Sequence, residues 1–275
     1  MNRGLMAQLA IIFIITQALG LWAGHYLVQQ QISVPIVNDD KESVDNSIGL
    51  FAWILAITAL LLLLIRFAPE WLFAIVIRAV ELLAIFWSAI VVSLPLDSGI
   101  LSLALAALIV LLRIAFRENV WLRNISSIVA TAGAGALIGA SLGVVPILVF
   151  LILLAAYDFI AVFKTKHMVK LAKGFSGKNL SFTFSLPTKE HNFELGTGDM
   201  VIPLMFAIGL LAEAQAQYAY PYYFMPSAAI LLASLAGLAI TMDYASKHKG
   251  VPLPALPLQA VFMLVIFAVL KLGGF

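Results

Sequence analysis

The 275-residue chain contains no cysteine. Disulfides, thiolate nucleophiles and cysteine-bound metal clusters are therefore excluded. Charge is nearly as scarce, with 11% Asp, Glu, Lys and Arg against 63% hydrophobic residues. A soluble domain carries about 25% charged and about 45–50% apolar residues. With a mean hydropathy of +1.06, the composition is that of an integral membrane protein. Histidine is sparse as well. His25, His167, His191 and His248 form no HxxxH pair, so no zinc site is expected. Neither an internal repeat nor a low-complexity segment is visible.

What fills the chain instead is long apolar runs. A spanning helix needs about 20 mostly apolar residues. Nine stretches qualify, at 5–27, 48–67, 71–93, 98–116, 121–141, 144–163, 197–218, 224–245 and 254–272. The expected fold is an all-α polytopic membrane protein of nine transmembrane helices in a single domain, 1–275. Six helices precede a basic connection at 164–196, and three follow it. The first run exceeds the 7–15 residues of a signal-peptide core and lacks a clear cleavage site, so it reads as a retained helix.

Charge placement orients these helices. With the N-terminus cytoplasmic, thirteen of the sixteen Lys and Arg residues fall on that side: Arg3, Arg66, Arg113, Arg117, Arg123, Lys164, Lys166, Lys170, Lys173, Lys178, Lys189, Lys247 and Lys249. Only Lys41 and Lys271 fall opposite, and Arg78 lies within the third stretch. This positive-inside bias puts the N-terminus in the cytoplasm and the C-terminus outside it.

Two aspartates interrupt the apolar runs. Asp158 lies five residues before Phe163, at the end of the sixth stretch, and Asp199 lies five residues after Glu194, at the start of the seventh. A carboxylate in hydrocarbon costs about 2.5–3.5 kcal/mol on insertion scales and marks a functional site by default. At about 1.5 Å per residue, both acids sit roughly 7–8 Å inside the cytoplasmic face. Consecutive antiparallel helices thus present two carboxylates at one depth. Such a pair cannot both ionise cheaply, and it shares a proton. One member can then act as base on water while the other, protonated, polarises a carbonyl. A proton-coupled transporter or cation channel could use the same acids.

The flanks carry further signals. Gly196 and Gly198 allow close backbone approach beside Asp199. Pro203 cannot donate to the Asp199 carbonyl, which loosens the helix start. Pro252, Pro254 and Pro257 break regular helix near the same depth. Irregular backbone survives at membrane depth only where it is buried in protein or lines a water-filled cavity.

Tyr157-Asp158, Gly196-Thr197-Gly198-Asp199 and Pro254-Ala255-Leu256-Pro257 resemble the YD, GxGD and PAL signatures of intramembrane aspartyl proteases, the presenilin and signal peptide peptidase family. The stretch YDFIAVF and the final proline of PALP are more similar to presenilin. Small size, absent cysteine and the lack of a long acidic cytoplasmic loop make the chain similar to archaeal presenilin homologues. The resemblance implies a catalytic pair, Asp158 and Asp199. It implies active-site support or substrate contact by Tyr157, Gly196, Gly198, Pro254, Ala255 and Leu256. The implied activity is endopeptidase cleavage within transmembrane helices of other proteins. No metal, organic cofactor or nucleic acid is implied, and the expected location is the plasma membrane of a prokaryote. Self-association and accessory subunits stay open.

Residues 180–186 alternate apolar with Ser or Thr, a strand signal. This strand is expected to pair with unwound substrate by β-augmentation. Arg78 and Glu81 are spaced for an ion pair. Glu213 is expected at the outer interface and Asp243 beside Lys247 in a structural role. Trp22, Trp53, Trp71, Trp87 and Trp121 suit interfacial positions.

Overall fold

In a bilayer every backbone polar group must be satisfied within the protein, so apolar runs of this length become helices. The computed structural model describes residues 3–164, 182–188, 192–248 and 254–275. Lys166, Lys170, Lys173, Lys178, Lys189, Lys249, His167, His191, Pro252 and the first residues of the expected strand lie outside them. Nine α-helices occur among the described residues: α1 (Arg3–Gln29), α2 (Val44–Phe67), α3 (Glu70–Ser93), α4 (Gly99–Ala115), α5 (Val120–Ser141), α6 (Val144–Phe163), α7 (Gly198–Gln215), α8 (Met225–Lys247) and α9 (Leu256–Leu272). Two strands, β1 (Thr183–Pro187) and β2 (Asn192–Gly196), form an antiparallel hairpin between α6 and α7.

Local chemistry sets the boundaries. Ser43, Ser98 and Asn119 cap α2, α4 and α5 by accepting from backbone N–H groups of the first turn. Pro69 separates α2 from α3, because its ring cannot continue a helix. The expected nine spans need one qualification. Seven helices are long and apolar enough to cross a membrane, whereas α4 and α9 have 17 residues each. The shortfall of α9 comes from Pro254 and Ala255, which precede its first helical residue.

Helix α7 is the buried centre. Twelve of its 18 residues are buried, whereas α2 buries only Asn46 and Ser47. Side chains of α7 fill hollows above glycines of its neighbours. Leu204 sits against Gly20 of α1 and Gly135 of α5. One turn on, Ile208 sits against Gly24 and Gly139. Both neighbours thus present glycines four residues apart, the spacing that lets helix backbones approach closely in membranes. Gly133 faces the Ser88 backbone of α3 in the same way. The pairings 20 with 204 and 24 with 208 run in the same direction, so α1 and α7 are parallel. Ile147 meets Gly209 near the start of α6, so α6 and α7 are antiparallel, as the alternation of spans requires.

Ion pairs tie the ends together. Arg78 donates to Glu81 at 2.6 Å, and Arg113 Nε reaches the other oxygen of Glu81 at 3.1 Å. The side chains of Arg113 and Glu81 are almost wholly buried, at 0% and 1% exposed. Arg113, counted from sequence only as a cytoplasmic-side charge at the end of the fourth stretch, is a buried partner that locks α4 to α3. Glu213 pairs with Lys271 at 2.6 Å, which places the C-terminal ends of α7 and α9 in one layer. Asp243 pairs with Lys247 at 2.6 Å. All five tryptophans are exposed, as lipid-facing residues would be.

A methyl group added at Gly139 would lie 2.7 Å from the Met205 carbonyl oxygen, and one at Gly133 would collide with the Ser88 backbone. Backbone cannot swing aside as a side chain can. Gly133→Ala and Gly139→Ala should each destabilise the protein by about 1–3 kcal/mol. Thermal unfolding of the detergent-purified variants checks this. A melting temperature equal to the parent's would show that the close packing does not hold.

Candidate active site

The two aspartates enter from opposite chain directions. Asp158 lies in the penultimate turn of α6, and Asp199 is the second residue of α7. Both are half-buried. Their carboxylates lie within electrostatic reach of each other. The structure therefore brings together the two acids that helix counting placed at one depth.

Each acid is served by the N-terminus of a helix. Asp199 occupies the first turn of α7 itself. The Asp158 carboxylate accepts a hydrogen bond from the backbone N–H of Leu256, the first residue of α9. Helix N-termini leave N–H groups without intrahelical acceptors and carry partial positive charge. Ala255, the residue capping α9, has no side-chain acceptor to offer, so Asp158 supplies one from another helix. Pro257 lies in the first turn of α9, where its missing N–H costs nothing. The proline-rich segment is thus an ordinary helix start at Pro257 and also a direct partner of Asp158 through Leu256.

Ala255 and Leu256 join two cores. Leu256 packs among α6 side chains that include Phe150, Leu151 and Leu154. Ala255 packs with Phe184 and Leu195 of the hairpin and Met200 of α7. Pro254 precedes them, half-buried. Tyr157 reaches α2, and its hydroxyl lies within electrostatic reach of Asp158. It is hydrogen-bonded to Thr58 and meets the Phe51 ring edge-on at 5.9 Å, both on α2. Its observed contacts hold α6 to α2.

The two glycines differ. A methyl group at Gly196 would touch Asp199 Oδ2 at 3.5 Å, whereas one at Gly198 would meet nothing within 4 Å. Close helix packing therefore does not account for Gly198; the space beside it is open. The residue between them was not singled out from sequence. The backbone N–H and the hydroxyl of Thr197 both donate to the Phe182 carbonyl, each at 3.1 Å. This hook fastens the start of α7 to the hairpin. A cavity of about 140 Å³ between α3 and α5 reaches Thr197 and Val201, but not the acids.

The hairpin has one covered edge and one open edge. Residue pairs alternate between mutually bonded and outward-facing along an antiparallel ladder. The outward groups of β1 are taken by helices. Asn124 of α5 bonds both the N–H and the carbonyl of Ser185 at 2.8 Å, Ser127 donates to the Thr183 carbonyl at 3.3 Å, and Gln8 of α1 donates to the Pro187 carbonyl at 3.0 Å. The expectation that the strand at 180–186 pairs with substrate therefore fails, because α1 and α5 already occupy its edge. The outward positions of β2 are Asn192, Glu194 and Gly196. Among the described residues, no backbone partner reaches them there.

The described residues form a bundle of long apolar helices with two aspartates in electrostatic contact between α6 and α7. The profile described as signal-peptide peptidase, presenilin aspartyl protease, matches residues 10–199, and the chain belongs to that family. No curated protein matches it. Two solved structures of a presenilin family intramembrane aspartate protease, in P2 and C222 space groups, are similar, each with a TM-score of 0.68 and 22% identity. The first match covers 97% of either chain, and the second covers 96% of this chain and 99% of the other. At that identity the likeness speaks for the fold.

Thr197→Val keeps the β-branched shape but removes the hydroxyl bond to Phe182. A stability loss of about 0.5–1.5 kcal/mol should follow, read as a lowered melting temperature. An unchanged value would mean that the backbone bond alone holds the hook.

Proposed function

We propose that this protein is a GxGD-type intramembrane aspartic endopeptidase that hydrolyses peptide bonds in transmembrane helices. The observation that carries this reading is the pairing of Asp158 and Asp199, each beside a helix N-terminus. One carboxylate takes a proton from water, and the hydroxide attacks the scissile carbonyl carbon. The other, protonated, donates to the carbonyl oxygen, giving a tetrahedral gem-diol. Collapse breaks the C–N bond as a proton passes to the leaving amine. The chemistry uses water and the two acids, with no metal or organic cofactor. Family membership favours proteolysis over the transport reading.

Orientation follows from charge. With the N-terminus cytoplasmic, the dyad lies at the cytoplasmic ends of α6 and α7, level with the middle of α1, and draws its water from that side. Gly196 and Gly198 leave room beside Asp199 for a peptide backbone, while Pro254, Ala255 and Leu256 shape the opposite wall. Substrate must be unwound before attack. An extended substrate segment adds to the outer edge of β2, whose last residue, Gly196, stands three positions before Asp199.

Purified protein and a single-span peptide in detergent provide the test. Asp158→Asn and Asp199→Asn should each abolish cleavage; full activity in either would refute the dyad. The pH profile should be bell-shaped. At low pH both carboxyls are protonated and no base remains, whereas at high pH both are ionised and no acid remains. A plateau at either extreme would exclude a shared proton.

Strand addition is tested separately. Glu194→Pro deletes an outward N–H that makes no bond to β1, so the hairpin should survive. Cleavage should fall at least about tenfold, since the substrate loses a main-chain bond and meets the proline ring. Cleavage at the parent rate would exclude pairing at β2.

A further inference from the structure

Gln17 of α1 is 3% exposed, in the middle of a membrane helix. Its Nε2 donates to the Met200 carbonyl at 3.1 Å. Its Oε1 has no hydrogen-bond partner among the described residues. A buried amide oxygen left without a partner is destabilising, and a leucine would pack there without that cost. Stability alone does not explain the residue.

Its partner's position suggests what does. Met200 follows Asp199 directly. Pro203 lies inside α7, so the Asp199 carbonyl lacks its i+4 N–H donor. The first turn of α7 is therefore under-bonded at the acid. Thr197 anchors it on one side through Phe182, and Gln17 anchors it on the other through Met200. Helix α1 is itself fixed to α7, because Leu204 and Ile208 fill the hollows at Gly20 and Gly24. The amide is thus delivered from a rigid support, within one residue of the acid.

We propose that Gln17 is a positioning residue, holding the first turn of α7 so that the Asp199 carboxylate keeps its place opposite Asp158. The inference rests on the role proposed above for Asp199. It predicts an effect on turnover that loss of packing would not produce. A small misplacement of a reacting group can cost up to about a hundredfold in rate.

The test compares Gln17→Leu and Gln17→Met with the parent and with Asp199→Asn, using the purified full chain and a single-span peptide. Both Gln17 variants should fold with melting temperatures at or above the parent's. Their kcat should fall about tenfold or more while KM stays within twofold. The two limbs of the pH profile should also draw together, because carboxylates held less closely couple less strongly. Parent-like kcat and pH profile in both variants, with Asp199→Asn inactive, would overturn the positioning role and leave the protease reading intact. A loss of activity that merely tracks the folded fraction would overturn it equally. Activity in Asp199→Asn would bring down both.

Discussion

Helix α7 is held between the glycine-bearing faces of α1 and α5, and the site depends on that clamp. Dispersion contacts are individually weak but numerous when backbones approach this closely. Leu204 and Ile208 each fill a hollow formed by one glycine from either side. The register of α7 against two helices is thereby set to a single turn, and the position of Asp199 follows from it. Parallel α1, antiparallel α6 and the hairpin then meet at the end where α7 begins.

That end solves an electrostatic problem. Two carboxylates near hydrocarbon repel one another and lose hydration. Here each is given the N-terminus of a helix, α7 for Asp199 and α9 for Asp158. The proline-rich segment before α9 is what lets a helix start beside Asp158. Ala255 and Leu256 then weld the α6 core to the hairpin core. Chemistry and packing converge on the same few residues.

Much of this was legible in the chain. Apolar run lengths gave nine helices to within a few residues, because hydrocarbon permits little else. Counting residues from each charged flank placed Asp158 and Asp199 at one depth. The alternation at 180–186 disclosed a strand, and Arg78 with Glu81 disclosed an ion pair. Other features carried no such signal. Arg113 counted only as a cytoplasmic-side charge, because its partner, Glu81, lies 32 positions away. Tyr157 reads as part of an active-site motif, and nothing near it in the chain disclosed that its ring also meets Phe51 of α2. Thr197 looked like a spacer between two glycines. The edge of β1 looked open because Asn124, Ser127 and Gln8, which cover it, belong to distant helices.

By itself the sequence determined which segments form long apolar helices, which residues are costly in such surroundings, and which helices carry them. Those properties follow from local composition and from the fixed rise of a helix. Only the tertiary structure decided which backbone groups remain open, which helix N-terminus meets Asp158, and which side chain bonds the turn beside Asp199. Hydrogen bonds and close backbone contacts between distant segments depend on relative placement, and no local pattern encodes it.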